Sequence, residues 1–182
     1  GMMNPQIRFG EDLMSRVSYG FVNKGGCEEL TKTVQDGLQQ LIENAAVKQD
    51  LDLQDIFDIV LVGNSVMHHL VLGIDPVELG GAPFALALDT AFNCAAHQIG
   101  LSLNVATCVY VLPCIAGHVG ADAAGAILAE APHKSEAMTL LIDVGTNAEI
   151  ILGNRHHLMA ASSPTGPAFE GAQISAGQRA AV

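Results

Sequence analysis

The chain has 182 residues, of which 49% are hydrophobic and only 4% aromatic. Its 8 basic and 19 acidic residues give a net charge of −11, which leaves no basic stripe for nucleic acid, while the scarcity of aromatic residues removes the stacking surfaces of a single-strand binder. Apolar runs end well short of the roughly 20 residues that cross a bilayer, and no signal peptide opens the chain, so we expect a globular, cytoplasmic protein.

The first third of the chain alternates between helical and extended patterns. A short helix is predicted over 10–19, and apolar residues at helical spacing predict a long helix over 28–47. The run 56–62 is continuously apolar and rich in β-branched residues, which favours a buried parallel strand over a half-exposed one. A helix over 67–72 follows this strand and ends before Gly73.

The middle of the chain contains fewer regular patterns. Residues 80–104 combine Gly, Pro and mixed polarity, so they predict an irregular connection with at most a short helix over 94–99. Residues 105–112 predict a second buried strand, and the small residues over 117–131 predict a helix that packs closely. The charged segment 132–136 then predicts a crossover between two lobes.

After this crossover the pattern changes to consecutive strands. They are predicted over 138–142, 148–152 and 157–161, which indicates a meander. Residues 162–171 predict a loop, and residues 173–182 begin a helix or turn.

The turn between the first two strands of this meander is the most informative feature of the chain. An apolar strand leads through Asp143 into a tight turn at Gly145 and Thr146, and a second apolar strand leaves it. Because glycine has no Cβ, the backbone N–H groups around Gly145 can approach an anion closely. The pattern predicts a phosphate-binding hairpin at which Asp143 holds hydrated Mg²⁺, and the same residues are also typical of an ordinary hairpin turn.

Small and polar residues also follow the two predicted parallel strands. Asn64 and Ser65 come after the first strand, and Gly117 and Asp122 come after the second. Ligands of open α/β sheets bind at such strand ends, which makes these residues secondary candidates for the site. Asn64 and Ser65 are equally typical of helix N-caps, and Asp122 of a cap or a salt bridge.

The histidines and cysteines do not predict a metal site. Adjacent side chains diverge on a helix and point to opposite faces of a strand, so the pairs at 68–69 and 156–157 are predicted to be core or surface histidines. No Cys-x-x-Cys pair is present, so the cysteines are predicted to be reduced thiols: Cys27, Cys94, Cys108 and Cys114.

Five blocks of sequence resemble, in order and spacing, the ATP-dependent reductive activators of corrinoid proteins. The blocks are 4–10, 63–70 with 73–76, 112–113 with 116–122, 143–149, and 166–172. Each block alone is a weak signal, whereas five in sequence cover nearly the whole chain. The family belongs to the superfamily of acetate and sugar kinases, heat-shock chaperone ATPases and actin.

The resemblance implies an α/β fold made of parts of two actin-like ATPase lobes, which are ribonuclease H-like mixed sheets flanked by helices. Residues 1–136 are expected to form the back portion of the first lobe, and residues 137–182 the front portion of the second, with the phosphate hairpin in its β-meander. An earlier Asp-x-Gly-Thr hairpin, a ferredoxin-like [2Fe–2S] domain and the adenosine-binding part lie outside the chain. The chain is therefore expected to be a fragment that lacks reductase activity and binds ATP poorly.

The resemblance also implies a function and roles for the residues of the hairpin. Family members use ATP to assist the reduction of a Co(II) corrinoid protein to Co(I) for methyl transfer. Asp143 would orient Mg²⁺ through water, Gly145, Thr146 and Asn147 would contact the phosphates of ATP, and Glu149 would orient the turn.

Three questions stay open at the level of sequence. Gly166 and Glu170 match the family, but their loop is rich in residues that simply form turns. A small-molecule kinase, an activator of another radical or dehydratase enzyme, and a non-hydrolysing interaction module are alternative functions. A homodimer is also compatible with the sequence, because surface normally covered by missing segments would be exposed.

Overall fold

The computed structural model describes residues 1–10, 12–145 and 147–164. These residues form two three-stranded sheets with helices packed on them. The helices are α1 (Leu13–Val22), α2 (Gly26–Lys48), α3 (Ser65–Val71) and α4 (Ala121–Glu130). The strands are β1 (Asp58–Leu61), β2 (Phe92–Ala95), β3 (Cys108–Val111), β4 (Thr139–Val144), β5 (Asn147–Gly153) and β6 (Leu158–Pro164).

The first sheet has the order β1-β3-β2, with β1 parallel and β2 antiparallel to the central strand β3. Because β1 and β3 are parallel, the segments that leave them towards α3 and α4 start from the same edge of the sheet. This arrangement places the residues that follow both strands at one end of the molecule.

Helix α2 covers one face of this sheet and supplies much of the core. Leu30 and Val34 belong to a buried cluster with residues of α1 and α3, while Leu38 packs against the strands as well. Glu28 and Glu29 lie in its first turn and Lys48 in its last, where their charges complement the helix dipole. The amphipathic pattern that predicted this helix is thus the pattern that packs it on the sheet.

Three predictions for the first sheet are wrong. The strand expected to be buried over 105–112 is buried on one face only, because Cys108 and Tyr110 of β3 are exposed. Strand β2 lies within residues 80–104, which predicted no strand, because its four residues acquire their partner from β3 far along the chain. Strand β1 was expected to be buried on both faces, yet Val60 is 64% exposed. The cause is that α2 packs on the side of Ile59 and Leu61 only.

Helix α1 and strand β6 have bounds that differ from those predicted. The first helix begins at Leu13 rather than at residue 10, because the Asp12 carboxylate caps it by accepting from the Ser15 N–H at 2.8 Å. Ser162 and Ser163 pair with β5 as part of β6, although residues 162–171 predicted a loop. The helix or turn predicted over 173–182 lies outside the described residues.

The second sheet is an antiparallel meander of the order β4-β5-β6, which confirms the predicted topology. Its register places Asp143 of β4 directly opposite Glu149 of β5, and Glu149 directly opposite Ser162 of β6. Two carboxylates therefore lie side by side where the β4–β5 hairpin turns.

Helix α4 joins the two sheets. Ala123 of this helix is fully buried and packs with Val119 and with Ile151 of β5. The small side chains predicted to allow close packing do so here, since β5 lies directly against the helix. The first turn of α4 is thereby fixed beside the β4–β5 hairpin. None of the helices formed by residues 1–10, 12–145 and 147–164 is long and apolar enough to cross a membrane.

Candidate functional site

A cleft lies where α1, α3 and α4 face the β4–β5 hairpin. It comprises two cavities of about 290 Å³ and 320 Å³ that share part of their lining. The shared lining residues are Leu13, Asn64, Asn147 and Glu149. The first cavity has an apolar floor beside α1 and α3, and the second is lined mainly by charged and polar groups.

Most of the residues predicted for the site meet in this cleft. Ser65 and Gly117 line the first cavity, and Asp122, Asp143 and Gly145 line the second. Asn64, Asn147 and Glu149 line both. The remaining candidates lie outside the described residues: Thr146, Gly166 and Glu170.

The turn between β4 and β5 is closed by a hydrogen bond of Gly145. Its N–H donates to the Asn147 carbonyl at 2.8 Å. Among the described residues, a Cβ on Gly145 would meet that carbonyl oxygen at an ordinary distance of 3.5 Å. Because Gly145 has no Cβ and lines the second cavity, the backbone of the turn can lie close to a group in the cleft.

Three carboxylates influence one another at the hairpin. Burial raises the pKa of Glu149, and the negative charges of Asp122 and Asp143 raise it further. A hydrogen bond from the Ser162 hydroxyl at 3.1 Å lowers this pKa and so opposes the effect of burial. Burial also raises the pKa of Asp122, with a further contribution from Asp143. Like charges directly opposite each other on paired strands are destabilising. The arrangement therefore favours a cation in the cleft.

The chemistry of these groups fits hydrated magnesium better than a fully chelated ion. Among residues 1–10, 12–145 and 147–164, no three His, Cys, Asp or Glu side chains are grouped so as to hold one metal ion directly. Mg²⁺ keeps several water ligands in proteins and takes one or two carboxylates together with phosphate oxygens. Asp143 is exposed near the end of β4 and lines the second cavity.

The residues that follow β1 and β3 line the cleft and also make hydrogen bonds at the starts of α3 and α4. The Asn64 side chain accepts from the Met67 N–H at 2.9 Å, so its interpretation as an N-cap is confirmed. Ser65 donates its hydroxyl to the Ala116 carbonyl at 3.1 Å, which ties α3 to the segment after β3. Asp122 accepts from the Ala123 N–H at 2.9 Å and donates its own N–H to the Gly63 carbonyl.

The cleft residues that were not predicted from the sequence include Arg16 and His118. Arg16 is 7% exposed and lines the second cavity from α1. The signal that could have found it is its helical position, since it follows Leu13 by three residues on the side that packs inward. His118 lines the first cavity with its ring 4.4 Å from that of Phe84, a contact between distant segments that no local pattern indicates.

His68 and His69 lie in the core, which is one of the two locations predicted for this pair. His69 Nε2 accepts from the Ala87 N–H at 3.1 Å, which leaves Nδ1–H to donate to the Ser65 carbonyl at 2.8 Å. The ring is therefore neutral. His68 is 2% exposed. Burial, aided by the neighbouring His69, lowers the pKa of His68 to about 4.

We expect these buried histidines to make the fold sensitive to acid. The unfolded chain takes up a proton near pH 6.5, whereas folded His68 resists it down to about pH 4. The contribution of His68 to the free energy of unfolding is therefore fully present above pH 6.5. It decreases as the pH falls towards 4, by up to about 3 kcal/mol. Urea unfolding at several pH values measures the slope. H68L should flatten it, whereas H97Q, at an exposed histidine, should not; an unchanged slope in H68L would contradict the prediction.

The four cysteines are free thiols, and none is among the residues that line the two cleft cavities in the described part of the chain. Cys94 and Cys114 are buried, and Cys108 is exposed. Cys27 has its pKa raised to about 11 by burial first and then by the nearby Asp75 carboxylate. In the described part of the chain they do not gather into a cradle for a metal cluster.

Comparison with known proteins identifies two family segments in the chain. Residues 1–135 match the RACo middle region, and residues 137–182 match the C-terminal domain of RACo, described as the ASKHA domain. The expectation of an actin-like ATPase fold is thereby confirmed.

Two longer proteins are similar to nearly the whole chain. The corrinoid activation enzyme RamQ of Eubacterium limosum is 36% identical over 178 residues, which are 98% of this chain and 30% of RamQ. A solved structure, the reductive activator for corrinoid,iron-sulfur protein, matches with a TM-score of 0.86 and 35% identity over 98% of this chain and 28% of the matched chain. The chain thus spans about a third or less of the length of these relatives.

Proposed function

Because this chain belongs to the RACo family of reductive activators of corrinoid proteins, we propose that it forms the phosphate-binding cleft of an ATPase that assists the reduction of a Co(II) corrinoid protein to Co(I) for methyl transfer. The observation that carries this proposal is the set of carboxylates beside the Gly145 turn in the cleft. In such a cleft, a bound cation would neutralise the negative charges of the carboxylates and of a polyphosphate.

In this proposal the two sheets belong to different lobes. Residues 1–136 form the back portion of the first ATPase lobe, and residues 137–182 form the front portion of the second. The buried contact of Val119 and Ala123 with Ile151 supports the idea that the cleft is formed between them. The nucleoside end of ATP is then bound by parts of a longer protein, and this chain binds the phosphates.

The residues of the hairpin have distinct roles in the proposed site. Bound Mg²⁺ and ATP supply the charge neutralisation and the phosphoryl group. Asp143 would orient the hydrated ion, and the turn of Gly145, Thr146 and Asn147 would contact phosphate oxygens. The Glu149 carboxylate accepts a hydrogen bond from the Ser162 hydroxyl at 3.1 Å. In this position it adds negative charge beside the turn and orients it.

The walls of the cleft support this arrangement. Asn64 and Ser65 hold the start of α3, the Asp122 N–H ties the start of α4 to the Gly63 carbonyl, and Gly117 lines the first cavity. The Asp122 carboxylate adds negative charge opposite the hairpin. We keep Gly166 and Glu170 as proposed nucleotide contacts on the strength of the family pattern.

The proposal places the remaining components outside this chain. A [2Fe–2S] domain of the longer protein would supply electrons, and a corrinoid protein of a methyltransferase system is the partner. We propose a cytoplasmic location for both, and a homodimer remains compatible with the proposal. A ferredoxin-type cysteine cluster encoded upstream of this chain would support corrinoid reduction, and its absence would favour an activator of another enzyme.

The apolar floor of the first cavity favours one alternative, a small-molecule kinase. Leu13, Met14, Val66 and Leu79 line this cavity beside the proposed phosphate site, where a phosphoryl acceptor would have to lie. Formation of ADP together with a phosphorylated product, dependent on a small hydroxylated or carboxylated acceptor and without release of inorganic phosphate, would favour this function.

We expect the 182-residue chain alone to bind Mg-ATP more weakly than micromolar, because it holds the phosphate side of the site without the nucleoside side. Isothermal titration of the chain and of the complete reading frame with Mg-ATP measures the difference. Micromolar or tighter binding by the chain alone would contradict the division of the site that we propose.

A further inference from the structure

Three polar residues form a row across the strands of the second sheet. Glu149 of β5 lies directly opposite Asp143 of β4 on one side and Ser162 of β6 on the other. Side chains of directly paired residues share one face of a sheet. Asp143 and Glu149 line the second cavity, and Glu149 and Ser162 line the first. The row therefore runs along the cleft, with Glu149 between a carboxylate and a hydroxyl.

The Glu149 carboxylate is bound on the Ser162 side of this row. The Ser162 hydroxyl donates to Glu149 Oε1 at 3.1 Å, and both side chains are half-buried. A hydrogen bond to an ionised carboxylate is stronger than one between neutral groups. This bond draws the carboxylate towards β6, whereas Asp143 lies on the other side of β5.

The hydrogen bond matters most when a cation is present. Without a cation, the like charges of Asp143 and Glu149 repel each other across the paired strands. A divalent ion reverses this effect, because it attracts both carboxylates at once. The Cβ atoms of directly opposed residues lie about 5 Å apart, which is close enough for both side chains to reach one ion. The bond from Ser162 opposes that rearrangement of Glu149.

We infer that Ser162 is a positioning residue, which holds the Glu149 carboxylate away from a cation at Asp143. The inference deepens the proposed function and rests on one part of it, namely a cation in this cleft. Mg²⁺ requires near-octahedral coordination, so each carboxylate that binds it takes a position from water or a phosphate oxygen. Ser162 thereby keeps positions on the ion open for the nucleotide. Without its hydroxyl, Glu149 and Asp143 form a two-carboxylate site that binds the ion itself more tightly.

The direct test is Mn²⁺ titration of the complete reading frame without nucleotide, followed by electron paramagnetic resonance. The relevant site is the one that D143N removes. S162A should bind Mn²⁺ there about tenfold more tightly, because a second carboxylate joins the site. S163A is the matched control, since Ser163 is exposed and lies opposite Ala148 rather than Glu149. It should bind Mn²⁺ with the affinity of the unsubstituted protein.

Two further variants separate this role from a purely structural one. S162T keeps the hydroxyl and should retain the Mn²⁺ affinity of the unsubstituted protein. E149A removes the group through which Ser162 acts, so adding S162A to E149A should leave the Mn²⁺ affinity unchanged. An S162A affinity equal to that of S163A, or a tightening that persists in the E149A background, would overturn the inference.

ATP hydrolysis distinguishes the inference from the proposed function. In a protein that hydrolyses Mg-ATP, S162A should lower kcat about tenfold and change KM less than about threefold, whereas S162T should restore kcat. An S162A rate equal to that of S163A would overturn the inference and leave the proposed function standing. A tighter Mn²⁺ site in S162A, without hydrolysis by the unsubstituted protein, would overturn the proposed function and support the role of Ser162. Absence of any Mn²⁺ site that depends on Asp143 would overturn both.

Discussion

D143N in the complete protein should abolish nucleotide-dependent activity and leave the fold intact. The substitution removes the charge that orients the hydrated cation but keeps the size and polarity of the side chain. Since positioning and charge neutralisation dominate phosphoryl transfer, we expect a loss of at least roughly 100-fold in the rate of ATP hydrolysis. A coupled assay of phosphate release measures it.

The same substitution should affect stability in the opposite direction. Asp143 is exposed and lies directly opposite Glu149, so removing its charge relieves a repulsion between the strands. The thermal midpoint should therefore be unchanged or slightly higher. D36N is the matched control, because Asp36 is an exposed residue of α2 that pairs with Lys32 on the surface. Hydrolysis by D143N at the rate of D36N would remove Asp143 from the site.

G120A should destabilise the protein and weaken nucleotide binding. A Cβ on Gly120 would lie 2.6 Å from the Asn64 Cα and 2.8 Å from the Ser65 backbone nitrogen. These are backbone atoms at the start of α3, so they cannot move aside without shifting the helix. We expect a loss of about 1–3 kcal/mol in the free energy of unfolding, measured by urea denaturation.

G81A is the control for G120A. Gly81 also adopts an extended conformation, but an added Cβ there meets no atom within 4 Å. Its free energy of unfolding should match that of the unsubstituted protein, and so should its affinity for Mg-ATP. Equal stability of G120A and G81A would show that the start of α4 can move away from α3, which would contradict the description of a rigid cleft wall.

The hairpin and the helices could be predicted because their signals are local. Asp143 and Gly145 are close in sequence to the strands that present them, and α2 repeats its apolar residues at helical spacing over most of its length. The meander followed from short connections between apolar runs, which leave few alternatives for pairing. The resemblance to a family then supplied the interpretation of the hairpin.

The features that could not be predicted depend on tertiary contacts. Strand β2 exists because β3 pairs with it, and the exposure of Val60 depends on which faces of the sheet the helices cover. Arg16 reaches the cleft because α1 packs beside α3, and His118 meets Phe84 across 34 positions of sequence. Neither the pairing of distant segments nor the walls of a cleft can be read from spacing within one element.

The most direct test is Mg-ATP hydrolysis by the complete reading frame, with and without a Co(II) corrinoid protein from the same organism. We predict hydrolysis that the corrinoid protein stimulates, together with formation of Co(I) followed by its absorbance. Hydrolysis that is indifferent to the corrinoid protein, or its complete absence with an intact electron donor present, would contradict the proposed function.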